Sequence, residues 1–368
     1  MTAWLAAEGM PTGPAFADDA TAEPMPAEPV PAGPTTDDEP PATEDPRRRR
    51  WLLLLLFLLF GLLAVLLAIA IWYLLFRQPI NPIPVLPETQ IPGYSTSIYG
   101  ASRPWGVAVT SSGDRIYVTQ TEGDRVVRIF DAGGNPVGTM EPPATTGTEH
   151  VPMYLAIDPL TSEVYVTDRP TASIYVYDRD GIFQHQYAPA EAIAGWQPVG
   201  IAFDTAGLLY VTDFGGASPT VQVFDRSGVL VRTLGETNGL AFPNGLAVDA
   251  AGNVYVADGN NGRLLVFGTD GAVVAQVGQG AGKGKLGLPR GVAIDGHGRV
   301  FVGDSSGQSV SVFGTVKDGD GRLEFFGQFG SQGIADGQFR FPNGVAVDGR
   351  ARVYVADSFN DRVQVWGY

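Results

Sequence analysis

Hydrophobic and polar positions fall into three regimes along the chain. Trp51 to Phe76 is an unbroken, charge-free apolar run. At 1.5 Å per residue it would form a helix of about 39 Å, longer than the ~30 Å hydrocarbon core of a bilayer. A single transmembrane helix is predicted. From residue 93 onward the pattern changes to short period-two stretches such as Val-Tyr-Val, punctuated by Gly, Asp and Pro, as expected of half-buried strands and tight turns. Before residue 47 there is neither pattern: ten acidic residues, no Lys or Arg and repeated Ala/Pro/Thr/Glu tracts predict disorder over residues 1–46, because little apolar surface is available to offset the entropy of ordering.

The period-two region repeats. A Pro-x-Gly step opens an apolar strand at Pro104, Pro198, Pro243, Pro289 and Pro342, and a sixth copy, Pro152-Met153-Tyr154, lacks the glycine. The prolines stand 48, 46, 45, 46 and 53 residues apart, the spacing of propeller blades. Each copy continues with a second strand, Ile116–Gln120, Val164–Asp168, Leu209–Asp213, Val254–Asp258, Val300–Asp304 or Val353–Asp357, and then a third. Third strands are predicted at 125–130, 173–177, 220–224, 263–267, 309–313 and 362–366. Fourth strands follow in the first five copies, as at 229–234 and 273–277, and the sixth has none before Tyr368. Upstream of the first copy an orphan strand, Ser95–Tyr99, can supply it. The expected fold is an all-β, six-bladed β-propeller over residues 93–368, closed by its own N-terminal strand so that no seam stays open.

The sequence around the repeats resembles a known family. The loop Phe329 to Val345, continued by Val353-Tyr-Val-Ala-Asp357 and Asn360-Asp-Arg-Val-Gln-Val365, is similar to an NHL repeat, and so is the stretch from Phe242 to Gly278. The resemblance covers residues 93–368 and is weakest in the second copy. It implies a six-bladed propeller that binds a protein, a peptide or another ligand. Propellers of this kind behind one span also resemble the sensor domains of bacterial receptor kinases, although no kinase is expected within the 46 residues before the span.

Charge sets the topology. Arg47, Arg48, Arg49 and Arg50 precede the apolar run and Arg77 alone follows it, so the positive-inside bias puts the N-terminus in the cytoplasm and the propeller outside the cell membrane. A cleaved signal peptide, with Ala68-Ile69-Ala70 as its site, fits less well, because the run is too long and lies too far from the start. Residues 77–92, carrying Pro79, Pro82, Pro84, Pro87 and Pro92, read as a stiff spacer. The propeller has 28 acidic and 19 basic residues within a chain of net charge −15, which argues against a grip on nucleic acid. The absence of cysteine removes disulfides and thiolate chemistry, and the lack of any Asn-x-Ser/Thr sequon points to a bacterial source.

Several short motifs mimic catalytic ones. Gly303-Asp-Ser305-Ser-Gly307 matches a nucleophile elbow, but a strand follows where a helix is required, so Ser305 reads as a turn residue. Gly282 to Gly287 matches the dinucleotide fingerprint, yet Leu288-Pro289 stands where the phosphate-binding helix should begin. Lys317 to Glu324 is too short for a calcium loop and reads as a hairpin turn. His150, His185 and His297 fall on separate elements, and no metal, cofactor or catalytic set is expected. The Asp that ends five second strands (Asp168, Asp213, Asp258, Asp304, Asp357) reads as a loop cap because it recurs.

A ligand meets six blades asymmetrically, so its contacts should differ between blades. The middle residue of Pro-x-Gly does differ: Trp105, Met153, Val199, Asn244, Arg290 and Asn343. These six are the candidate ligand-binding residues at the channel mouth, where a guanidinium, two amides and an indole suit a peptide or a carboxylate-bearing ligand. The expected function is a membrane-tethered extracytoplasmic binding or scaffold module, with a hydrolase or lyase (lactonase-like or amidating-lyase-like) in the same channel as the alternative.

Overall fold

The computed structural model describes residues 46–76, 91–144, 149–316 and 321–368. The acidic tail to residue 45, the spacer at 77–90 and the 317–320 part of the lysine-containing turn lie outside these. The chain divides into two compact units, Met1–Pro84 and Val85–Tyr368.

In the first unit, Pro46–Phe76 forms one α-helix. Proline at its first position suits a helix start, because its missing N–H has no intrahelical acceptor there. The stretch Arg50–Trp72 is long and apolar enough to cross a membrane, and none of it is buried against other parts of the protein. This fits the expectation of a possible span.

The second unit is a six-bladed β-propeller. Each blade is a four-stranded antiparallel sheet. The inner strands are Pro104–Val109, Pro152–Ile157, Pro198–Phe203, Pro243–Val248, Pro289–Ile294 and Pro342–Val347. In the sixth blade the outer strand comes from the opposite end of the chain. Gly93–Tyr99 pairs with Arg362–Gly367, in a register running from Gly93 opposite Gly367 to Tyr99 opposite Arg362. The ring therefore closes as the orphan strand predicts, two residues earlier than its expected start. The third strand of blade one differs slightly, running from Val127 to Asp131 rather than from Arg125, because Arg125 turns the chain at φ 53°.

The repeated Pro-x-Gly has a local explanation. Proline starts the strand, where it has no ladder donor to lose. In every blade the register slips just after it: Pro198 faces Asp213, but Ile201 faces Val211, so two inner residues oppose one. This bulge rotates the middle residue relative to the strand. The glycine is required by the neighbouring blade. A Cβ at Gly106, Gly200 or Gly291 would come within 2.5, 2.0 and 2.5 Å of the next inner strand's carbonyl oxygen, respectively. Threonines in the second strands fasten the same junctions. Thr119, Thr167 and Thr212 donate to the carbonyls of Met153, Val199 and Asn244 at 2.7, 2.8 and 2.9 Å.

Between blades the second-strand faces pack into hydrophobic clusters in which Tyr117, Tyr255 and Tyr354 are fully buried. The tyrosine of Val-Tyr-Val keeps its polar end satisfied. Tyr255 and Tyr354 donate to Asp249 and Asp348 at 3.0 and 3.3 Å, the residues that fold the turn after the inner strand.

Candidate functional site

Each inner strand is hydrogen-bonded on one edge only. The other six edges, with their free backbone N–H and C=O groups, face a central channel. Toward the C-terminal ends of these strands the channel opens into a cavity of about 270 Å³, bordered by Val109, Ile157, Phe203, Val248 and Ile294. The Pro-x-Gly steps lie at the opposite end, where the inner strands begin.

The aspartates on that face are structural. Asp168, Asp213, Asp258, Asp304 and Asp357 accept the backbone N–H of Val151, Gln197, Ala241, Leu288 and Arg340 at 2.7 to 2.9 Å, tying each second strand to the segment that leads into its own proline. Gln120 does the same for Ser102 in blade one at 3.0 Å. Asp258 and Asp357 are also neutralised by Arg263 and Arg362, at 2.6 and 2.9 Å. Asp213 has no such cation among the described residues, and burial pushes its carboxyl above the usual range despite bonds from Gly215 and Gln197. All five aspartates are buried, so they present little carboxylate surface to a ligand.

Of the six candidate residues, the structure brings three together. Arg290 donates from Nη1 to Asn244 Oδ1 at 2.8 Å, and its guanidinium carbon stands 5.5 Å from the centre of the Trp105 ring and 5.5 Å from that of Phe242. Asn244 is held in turn by its own bond to the Phe242 carbonyl, 2.8 Å. The others are placed differently. Met153 and Val199 are buried in the apolar cluster between blades two and three. Asn343 is a latch: its amide nitrogen donates to Phe341 O and Ser358 Oγ at 3.1 and 2.7 Å, and Ser358 binds the Pro104 carbonyl of blade one. Ser305 is a second latch, buried and donating to Pro342 O at 2.6 Å, which explains why it mimics a nucleophile without being exposed.

A fourth member escaped the sequence reading. Tyr154 occupies the place of the missing glycine in blade two, is 6% exposed, and lies beside Trp105 and Arg290. Burial pushes its hydroxyl up to about 12, while the Arg290 charge and the Trp105 indole pull in the other direction. Trp105 Nε1, Tyr154 Oη and Arg290 Nε are all buried, and none meets a hydrogen-bond partner of good geometry in the protein. The departure from glycine was the signal; its meaning depends on blades one and five being neighbours of blade two across the channel.

Around the mouth the residue before the proline also matters. Arg103, Phe242 and Phe341 take left-handed backbone conformations, φ 45°, 55° and 54°, each directly before a proline. Such bulky residues pay of order 1–3 kcal/mol for that geometry. Their side chains build an aromatic rim. Phe341 stacks on Phe359 at 4.7 Å, Arg103 lies 4.0 Å above Phe359, and Phe242 meets Phe214 at 5.5 Å.

His150, His185 and His297 remain on separate elements. His150 Nδ1 stands 3.3 Å from Asp168, His185 is exposed in the outer strand of blade two, and His297 is exposed in a turn of blade five. Among the described residues no three His, Cys, Asp or Glu side chains gather as a metal cluster.

The pattern of the blades agrees with known proteins. Residues 240–267 match the NHL repeat family. The chain is a six-bladed β-propeller that carries an NHL repeat. Solved structures of similar fold include a streptogramin B lyase, 13% identical with a TM-score of 0.52, over 76% of this chain and 99% of that one. A structural genomics protein from Bacteroides thetaiotaomicron VPI-5482 is 17% identical with a TM-score of 0.55, over 76% and 72%. A catalytically inactive virginiamycin B lyase from Staphylococcus aureus with quinupristin is 14% identical with a TM-score of 0.51, over 74% and 98%. At such identities the likeness is one of fold. No curated protein sequence matches the chain.

Proposed function

We propose that the chain is a membrane-tethered, extracytoplasmic binding module whose propeller captures a protein, peptide or small ligand at the Pro-x-Gly face of its channel. Tethering is supported by the apolar helix and its four flanking arginines. Binding rests on one observation: three buried polar atoms, on Trp105, Tyr154 and Arg290, lie in one side-chain cluster without a hydrogen-bond partner of good geometry. Buried polar groups are nearly always hydrogen-bonded, so a group of three marks a place where something external completes the bonding. A hydrolase or lyase in the same place would need a general base, whereas among the described residues the neighbours of Arg290 are an amide and aromatic faces. Binding is therefore the preferred reading.

The test is capture of cross-linked partners by the full chain in its native cells. Trp105 is half-buried, so alanine there would also disturb packing; Trp105→Phe with Arg290→Gln removes the indole N–H and the guanidinium charge and edge and keeps most of the volume. Capture should fall at least about tenfold, equivalent to ~1.4 kcal/mol. Undiminished capture by a double variant that melts normally would refute the assignment of the site.

A further inference from the structure

Arg290 differs from the arginines that hold the buried aspartates of this propeller. Arg263, Arg299, Arg352 and Arg362 each hold a buried aspartate at 2.6 to 2.9 Å. Arg290 forms no ion pair among the described residues, although the domain is acidic. Its neighbours are the faces of Trp105 and Phe242 and the amide of Asn244. The Asn244 bond takes up Nη1 alone. That leaves Nε and Nη2, which form one straight edge of the guanidinium, and that edge matches the two oxygens of a carboxylate. Trp105 Nε1 and the Tyr154 hydroxyl supply two more buried donors in the same cluster.

The local field has the matching sign. Every other tyrosine that burial pushes up has an Asp or Glu among the charges acting on it, for example Asp249 at Tyr255 and Asp348 at Tyr354. On Tyr154 the charge acting, among the described residues, is that of Arg290. Among the described residues no carboxylate answers the donors of this cluster.

Resting on the binding reading above, we infer that Arg290, Trp105 and Tyr154 form a receptor for a carboxylate, which Arg290 grips side-on while the two ring donors take its remaining lone pairs. Such a group comes either from a free organic acid or from the C-terminus of a peptide. The rim of Phe214, Phe242, Phe341 and Phe359 offers flat apolar surface to whatever follows the carboxylate.

The experiment titrates the full chain in detergent with hippurate, benzoate and their neutral amides, followed by calorimetry. Hippurate carries an acylated glycine and mimics a peptide terminus; benzoate does not. The acids should bind at least tenfold tighter than the amides, weaken with added salt, and lose their advantage in Arg290→Gln. Tyr154→Phe, which preserves packing, should weaken the acids and leave the amides unchanged. Hippurate well ahead of benzoate assigns the carboxylate to a peptide terminus, and equal affinities assign it to a free acid. Equal binding of acids and amides to the unaltered protein, or no binding of either, overturns the inference, and that comparison needs no variant. If Arg290→Gln then still loses its native partner, the binding site stands and only its carboxylate specificity falls.

Discussion

Ring closure by the N-terminal strand can be tested at Ile98. This side chain is 5% exposed and packs with Val107, Ile116, Phe130 and Val363, so it joins the last blade to the first. Its branch also covers Gly134, where even a Cβ would stand 3.0 Å from it. Ile98→Ala removes three buried carbons from a junction that cannot collapse freely, because ladders on both sides hold its walls. A cost of about 3 kcal/mol is expected, inside the range of roughly 2–5 for such truncations. For a domain of this size that corresponds to a melting point lower by roughly 6–12 °C. Thr96→Ala, at an exposed position of the same strand, should shift stability by no more than ~0.5 kcal/mol. Deleting residues 93–99 goes further: it also removes the Tyr94 ring packed edge-on to Trp366 at 5.8 Å and bares the edge of Arg362–Gly367, an invitation to pair with another chain. Calorimetry and light scattering on the three variants give the answer. Ile98→Ala melting within about 2 °C of the parent, together with a soluble deletion variant, would show that the strand does not close the ring.

Four further outcomes follow from the same structure. Asp258→Asn should cost about 1.5–3 kcal/mol in a denaturation series, because it strips the partner from Arg263. Asp213→Asn should be neutral or stabilising at pH 7, since its raised carboxyl penalises the folded state once ionised; that penalty is absent below the ordinary value of 3.8 and complete above the folded one, so the gain should vanish in acid. Gly291→Ala, whose methyl would meet Asn343 O and Val345 N at 2.5 Å, should lose about 2 kcal/mol or more, whereas Gly296→Ala, in open space, should change the melting point little. For topology, an impermeant thiol reagent on intact cells should label Thr237→Cys and spare Ala20→Cys, and the reverse pattern would invert the proposed orientation.

The sequence by itself determined the repeat, the number of blades and the closing strand. Those depend on period-two alternation, on proline and glycine at fixed spacing, and on a strand left without a partner, all local quantities. It also revealed that the recurring aspartates are caps, because a residue repeated in five of six blades serves what each blade needs. The middle residues of Pro-x-Gly looked equivalent along the chain, and there the sequence ran out. Whether such a side chain enters the channel, fills a blade junction or ties a latch depends on the bulge and on which blade stands opposite. So Trp105, Asn244 and Arg290 converge, Met153 and Val199 sink into an apolar cluster, and Asn343 binds Ser358. Tyr154 was visible only as a missing glycine. That its hydroxyl reaches Trp105 and Arg290, from blades 49 and 136 residues away in sequence, follows from closing the ring, which sets distant residues side by side across a channel no local pattern describes.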